Sequence, residues 1–155
     1  EKNDFDITTV AQNLINSYGI LKEKESYIFK YNKPKSIIVF GDEAKINQVL
    51  SDLITNAVKY CGLDKTVIIN IKKIGRKMRC EITDHGAGIS QEEIPHIWER
   101  YYQSSTHHVR STEGSGLGLS IVKEILTLHK SEFGVISKIG KGSTFWFEMD
   151  ITKNK

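Results

Sequence analysis

Proline is scarce, with only 2 in 155 residues, and no repeat, low-complexity tract or linker breaks the chain. That composition excludes fibrous and disordered architectures. Cysteine is as sparse: Cys61 and Cys80 lie in separate apolar runs without a Cys-x-x-Cys spacing, so they read as reduced packing residues of a cytosolic protein. Neither a disulfide framework nor a metal site follows from them. No stretch approaches the roughly eighteen apolar residues of a membrane span, and Glu1-Lys2-Asn3-Asp4 has neither the charge nor the apolar run of a signal peptide. The expectation is a soluble, cytoplasmic segment without direct membrane contact. It reads as a fragment beginning directly at an element, with any anchor of the parent outside it. A strong excess of one charge is also missing, since a net +3 is too small to argue for nucleic acid. What remains, 39% apolar and 26% charged residues, is ordinary globular composition, and the length suits one domain over 1–155 that buries a core without staples.

Apolar Ile7, Val10, Ala11, Leu14, Ile15, Tyr18 and Leu21 recur at helical steps and predict a helix over 7–21. Two β-type runs, 27–31 and 36–40, are separated by Asn32-Lys33-Pro34 and read as a hairpin feeding a helix, with Gly41-Asp42 as turn and N-cap. The stretch 43–60 carries the apolar stripe Ile46, Val49, Leu50, Leu53, Ala57 and Val58, and Gly62 is expected to stop it. Strands follow at 66–74 and 77–84 around Gly75-Arg76, then a short helical piece over about 91–102, a polar and mobile 103–113, a helix over 115–129, and a closing hairpin of 132–138 and 143–149. Three principal helices among mostly antiparallel strands predict an α+β fold, a two-layer sandwich with the helices on one face of a mixed sheet.

Three constellations carry candidate chemistry. On the central helix Asp52, Asn56 and Lys59 fall at i, i+4 and i+7 and form one polar stripe. Such a stripe serves equally as a solvated face, but an oxygen donor beside an ammonium also suits a metal-triphosphate site. Asp84, at a strand end, shares the parity of Met78, Cys80 and Ile82 and should point inward. A buried carboxylate needs donors from the fold or from a ligand, and an adenine amine is one such donor. Gly86 and Gly88 would let the backbone approach the base, although a tight turn bearing a surface acid gives the same letters. Gly114, Ser115, Gly116, Leu117, Gly118 and Leu119 open a helix whose backbone N–H groups favour phosphate oxygens. No strand precedes these glycines as a dinucleotide fingerprint requires, and Gly140-Lys141-Gly142-Ser143 departs from a P-loop.

In order and spacing these motifs resemble the ATPase domain shared by sensor histidine kinases, DNA gyrase, heat-shock chaperones and mismatch-repair ATPases, and the histidine kinases most closely. The segment 48–60 resembles the asparagine box, 84–89 the first glycine box, 97–102 the aromatic box, 114–119 the second glycine box and 140–145 the last. The resemblance covers essentially the whole chain and implies a Bergerat-type fold binding ATP with Mg²⁺. It further implies that Asn56 ligates Mg²⁺, Lys59 and Arg100 contact phosphate, and Asp84 accepts from the adenine amine. Tyr60 and Ile89 would wall the base, Thr144 would assist Asp84 through water, and Tyr102 would join the nucleotide site. The segment 103–113 would be an ATP lid, with Gly114, Gly116 and Gly118 as hinge and phosphate contacts.

Two positions depart from the pattern. Gln103 stands where many kinases carry a second Arg, which puts one lid contact in doubt. Asp52 replaces a second Asn of many histidine kinases, where hydrolytic relatives place a Glu base; Mg²⁺ ligation, a base role and an inert placement all remain open. His85, His96, His107, His108 and His129 are not followed by Glu or Asp, as a phosphoacceptor usually is, and read as turn, surface or lid residues. The resemblance therefore implies a protein-histidine kinase catalytic domain that binds Mg-ATP and transfers the γ-phosphate to a histidine on a separate dimerisation domain, with a response regulator downstream. The isolated chain would be a monomer of a homodimeric, membrane-anchored parent and would not phosphorylate itself. The competing readings are an ATP-hydrolysing clamp of the gyrase kind and a non-catalytic nucleotide-binding adaptor.

Overall fold

The computed structural model describes residues 1–19, 24–100 and 118–152. A short strand, β1 (Asn3–Asp6), runs straight into α1 (Ile7–Asn16). Asp6 ends the strand and caps the helix, its Oδ1 accepting from Thr8 N at 3.0 Å and from Ile37 N at 3.2 Å. The helix expected over 7–21 closes early: the Ser17 N–H turns back to Asn13 O at 3.2 Å and Leu14 O at 3.0 Å, and Leu21 lies outside the described residues.

The hairpin expected from 27–31 and 36–40 does not form. Instead β2 (Ile28–Asn32) pairs in parallel with β4 (Thr66–Ile74), and β3 (Ile38–Gly41) pairs antiparallel with β1. Burial explains the choice. In β2 the alternate residues Phe29 and Tyr31 fall beside Val67 and Ile69 on the covered face, where Phe29 stacks on Tyr18 at 5.4 Å and the Tyr31 hydroxyl donates to Thr8 O at 2.7 Å. Val39 of β3 is fully buried with Phe5 of β1 in the same core. A local hairpin would give up these separate burials, and apolar area removed from water outweighs short-range connection.

The main sheet has the order β2-β4-β5-β7-β6, with β5 (Lys77–Asp84), β6 (Phe133–Lys138) and β7 (Gly142–Asp150), and every junction except β2–β4 is antiparallel. One face holds Val67, Ile69, Ile71, Met78, Cys80, Ile82, Phe145, Phe147 and Met149, all buried. The opposite face is polar: Arg79 donates to Glu81 at 2.8 Å and Glu148 at 2.9 Å and lies 4.2 Å over the Trp146 ring. Alternation of this kind is what a sheet covered on one side requires.

The covering layer consists, among the described residues, of α1, α2 (Glu43–Tyr60) and α3 (Gly118–Leu128). The mixed, mostly antiparallel sheet under three helices is the two-layer α+β sandwich expected from the pattern. Helix α2 packs against α1, α3, β4 and β5 and buries Ile46, Val49, Leu50, Leu53, Ile54 and Ala57. Asp42 caps it, accepting from Lys45 N at 3.2 Å, as Gly41-Asp42 suggested. His129, read from the sequence as a peripheral residue, is half-buried and structural. Its Nε2 accepts from Asp42 N at 3.0 Å while Nδ1 bonds Ile125 O at 2.9 Å, which fixes the Nδ1-protonated tautomer. This bond sets the end of α3 at the start of α2, so the first residues of α3 lie toward the second half of α2.

Of the helical piece expected over about 91–102, the described residues form a single 3₁₀ turn at Ile94–His96, with Pro95 as its second residue; 101 and 102 lie outside the described residues. Its anchor is aromatic: Trp98 meets Phe133 at 5.0 Å and Phe145 at 5.8 Å, edge to face.

Candidate functional site

The last turn of α2, the end of β5 and the turn before β7 meet at one end of the sheet. Helix α2 ends because Cys61 adopts an extended backbone, φ −67° and ψ 164°, not because Gly62 turns left-handed. Gly62 serves close approach: a Cβ there would collide with the His85 carbonyl, and one on Gly86 would collide with the Tyr60 carbonyl. Gly88, at φ +82°, and Gly142, at φ +108°, both lie in the region that favours glycine. A Cβ on Gly88 would strike Lys138 O, and one on Gly142 would strike Asp84 O. Three glycine-bearing segments are thus pressed backbone to backbone around Asp84.

Asp84 points inward, 1% exposed, as its parity predicted. Its Oδ1 accepts from Gly86 N at 2.9 Å and its Oδ2 is buried. Directly across the β5–β7 ladder stands Ser143, 2% exposed, on the same covered face. Thr144, expected to assist Asp84, lies on the other face: it pairs with Thr83, and the two hydroxyls are 2.8 Å apart. One step along a strand reverses the side chain, so the hydroxyl beside Asp84 belongs to Ser143, which the motif reading missed by one residue. Ile89 is fully buried, and its N–H donates to Ser137 Oγ at 2.7 Å.

About one and two turns back from the end of α2, Asn56 and Asp52 are half-buried. Among the described residues Asp52 Oδ2 and Asn56 Nδ2 are buried without a hydrogen-bond partner. Burial pushes the Asp52 carboxyl up to about 6. Orphaned polar atoms one helical turn apart are satisfied by a water or an ion. Turning the Asn56 amide over, an assignment made from its surroundings, would present its oxygen instead. A carboxylate and an amide oxygen fit a hard cation that takes its remaining ligands from water and phosphates. No group of three His, Cys, Asp or Glu side chains suited to a metal occurs among the described residues.

Lys59 and Arg100 are exposed, Tyr60 and Leu119 half-buried, and Gly118 opens α3 at the surface. Tyr102, Gly114, Ser115, Gly116 and Leu117, and the expected lid 103–113, fall outside the described residues. At the rim, His85 Nδ1 lies 2.6 Å from Asp64 Oδ2, and this hydrogen bond holds the Asp64 carboxyl below its usual range. Both cysteines are free. Burial, then the negative charges of Asp84 and Asp64, push the Cys61 thiol up, and burial does the same to Cys80, as expected of unreactive packing thiols.

A family profile described as "Histidine kinase-, DNA gyrase B-, and HSP90-like ATPase" matches residues 41–153. Among curated proteins, the chain is similar to the sensor-like histidine kinase SenX3 of Mycobacterium tuberculosis, 31% identical over 142 residues covering 92% of this chain and 35% of that protein. It is also similar to the phosphate regulon sensor protein PhoR of Haemophilus influenzae, 34% identical over 143 residues covering 92% and 33%. The chain spans about a third of the length of these relatives. Among solved structures, the catalytic domain of histidine kinase ThkA superimposes with a TM-score of 0.85 at 22% identity, covering 99% of both chains. The mycobacterial sensor histidine kinase MprB gives 0.83 at 22%, covering 99% of this chain and 100% of that one. At that identity these two likenesses establish the fold.

Proposed function

The chain belongs to the histidine kinase-, DNA gyrase B- and HSP90-like ATPase family, and from that premise we propose that residues 1–155 are a single catalytic domain that binds Mg-ATP and passes its γ-phosphate to a histidine on the dimerisation domain of its parent kinase. The observation that carries this reading is the closure of α2 on the Asp84 loop, with Asn56 and Asp52 and their partnerless atoms on the same helix, about one and two turns before the Tyr60 carbonyl that abuts Gly86. In this reading Asp84 accepts from the adenine amine, Gly86 and Gly88 admit the base, and Tyr60 and Ile89 wall it. Asn56 and Asp52 hold Mg²⁺, which neutralises phosphate charge when bound. Lys59 and Arg100 approach the phosphates, joined by Tyr102 and by Gly114, Ser115, Gly116, Leu117, Gly118 and Leu119 at the start of α3. A sensor kinase homodimer and a downstream response regulator complete the assignment. No helix of the described residues is long and apolar enough to cross a membrane.

The test mixes the chain with labelled ATP, Mg²⁺ and a separately produced dimerisation domain, and follows acid-labile phosphate. Transfer to that partner, with none to the isolated chain, is expected; self-phosphorylation of the chain would contradict the assignment. The burial of the Asp52 carboxyl, with its partnerless Oδ2, favours a second reading. A carboxyl raised to about 6 beside the phosphate site is suited to general base work near neutrality, which an ATP-hydrolysing clamp requires. Steady hydrolysis by the wild type that is lost in Asp52→Asn would favour it.

A further inference from the structure

Behind Asp84, a second serine is buried where the motifs gave no reason to look. Ser137 in β6 is 8% exposed, and its hydroxyl has three neighbours. It receives the Ile89 N–H at 2.7 Å, reaches the Gly142 carbonyl at 3.0 Å, and lies 2.7 Å from Ser143 Oγ. The Ser137 carbonyl also accepts from Gln91 Nε2 at 3.1 Å. One hydroxyl therefore joins the loop after Asp84 to the start of β7.

Counting hydrogens fixes the direction of this network. A serine hydroxyl has one hydrogen to give. The Ile89 N–H can only donate and the Gly142 carbonyl can only accept. The one assignment that satisfies all three contacts has Ser137 donating to Gly142 O and Ser143 donating to Ser137. With its hydrogen turned away, the Ser143 oxygen has only lone pairs to offer on the side where it faces Asp84 across the ladder. Asp84 and Ser143 then form a recessed pair that accepts and does not donate.

Building on the adenine reading above, we propose that Ser137 is a positioning residue that sets base specificity: by holding the Ser143 hydroxyl as an acceptor opposite Asp84, it makes the recess admit a purine with an amino group at C6 and reject one with an oxo group. Adenine offers two N–H donors at C6. Guanine offers a carbonyl oxygen there, which meets two acceptors and loses its water without replacement, the kind of mismatch that separates polar analogues strongly. Removing the Ser137 hydroxyl frees Ser143 to rotate and donate, and the rejection of guanine should relax.

Calorimetric titration of the whole chain with ADP and with GDP, neither of which can donate a γ-phosphate, reads this directly. Wild type is expected to prefer ADP. In Ser137→Ala the ADP-to-GDP affinity ratio should fall roughly tenfold, and Ser137→Thr, which keeps the hydroxyl, should restore it. Ser143→Ala deletes the acceptor itself and should narrow the ratio in the same way, so the test stands even where Ser137→Ala fails to fold. Loss of ADP and GDP affinity in equal measure, or an unchanged ratio in Ser143→Ala, would overturn the proposal and leave the adenine reading intact. A wild type that binds neither nucleotide would overturn both.

Discussion

Replacing Asp52 by Asn should make the nucleotide-free domain more stable at neutral pH, and the gain should vanish in acid. Asp52 sits half-buried on α2, and burial raises its carboxyl from 3.8 to about 6. Because the folded value lies above the unfolded one, the contribution to stability is fully present below about pH 3.8 and is lost as the pH rises through 6. A rise of about two pH units corresponds to about 3 kcal/mol were solvent excluded. At a half-buried site screening reduces this to about 1–2 kcal/mol. For a domain of this size that is a gain of roughly 2–8 °C in melting temperature. Thermal unfolding of wild type and Asp52→Asn, in chelator and without nucleotide, at pH 7.5 and at pH 4, measures it. An Asn variant no more stable than wild type at pH 7.5, or a gain of the same size at both pH values, would refute the reasoning. A carboxylate that costs stability at rest is the kind of residue a binding site retains for its ligand.

Asp84→Asn should fold normally yet bind ADP roughly 10- to 100-fold more weakly, since one buried acceptor becomes a donor facing a donor; calorimetry checks it. Gly86→Ala puts a methyl against the Tyr60 carbonyl and should cost about 1–3 kcal/mol in urea unfolding, with nucleotide binding falling in parallel. Trp98→Ala removes two edge contacts, to Phe133 and Phe145, and should cost about 2–3 kcal/mol by the same measurement.

The sequence made most of this layout legible because most of its signals are local. The alternation Met78, Cys80, Ile82, Asp84 places the acid inward whatever the partners of β5 are, and the stripe of α2 needs only helical period. Pairing of β2 and β3 was not legible: both strands bond segments distant in sequence, and β1, four residues with a single buried one, carries too short a pattern to register. The Thr144 assignment failed for a different reason. A motif read by likeness can slip by one residue, and in a strand one residue is the difference between the two faces, so Ser143 and not Thr144 accompanies Asp84. Ser137 and His129 were invisible in principle, since their roles come from hydrogen bonds to Ile89, Gly142 and Asp42, backbone groups that no side-chain pattern announces.

A surface cavity of about 380 Å³, lined in part by Phe40, Lys77, His129, Met149 and Asp150, lies at the opposite strand ends from Asp84 and gives the central claim an internal control. Titrating the isotopically labelled domain with the non-hydrolysable analogue AMPPNP and Mg²⁺, and following backbone amide shifts, tests whether one cleft holds the nucleotide. Large shifts at Asn56, Gly86, Ile89 and Ser143, with Lys77 and Asp150 unmoved, are expected. Shifts concentrated around Lys77 and Asp150, or none at saturating analogue, would contradict it.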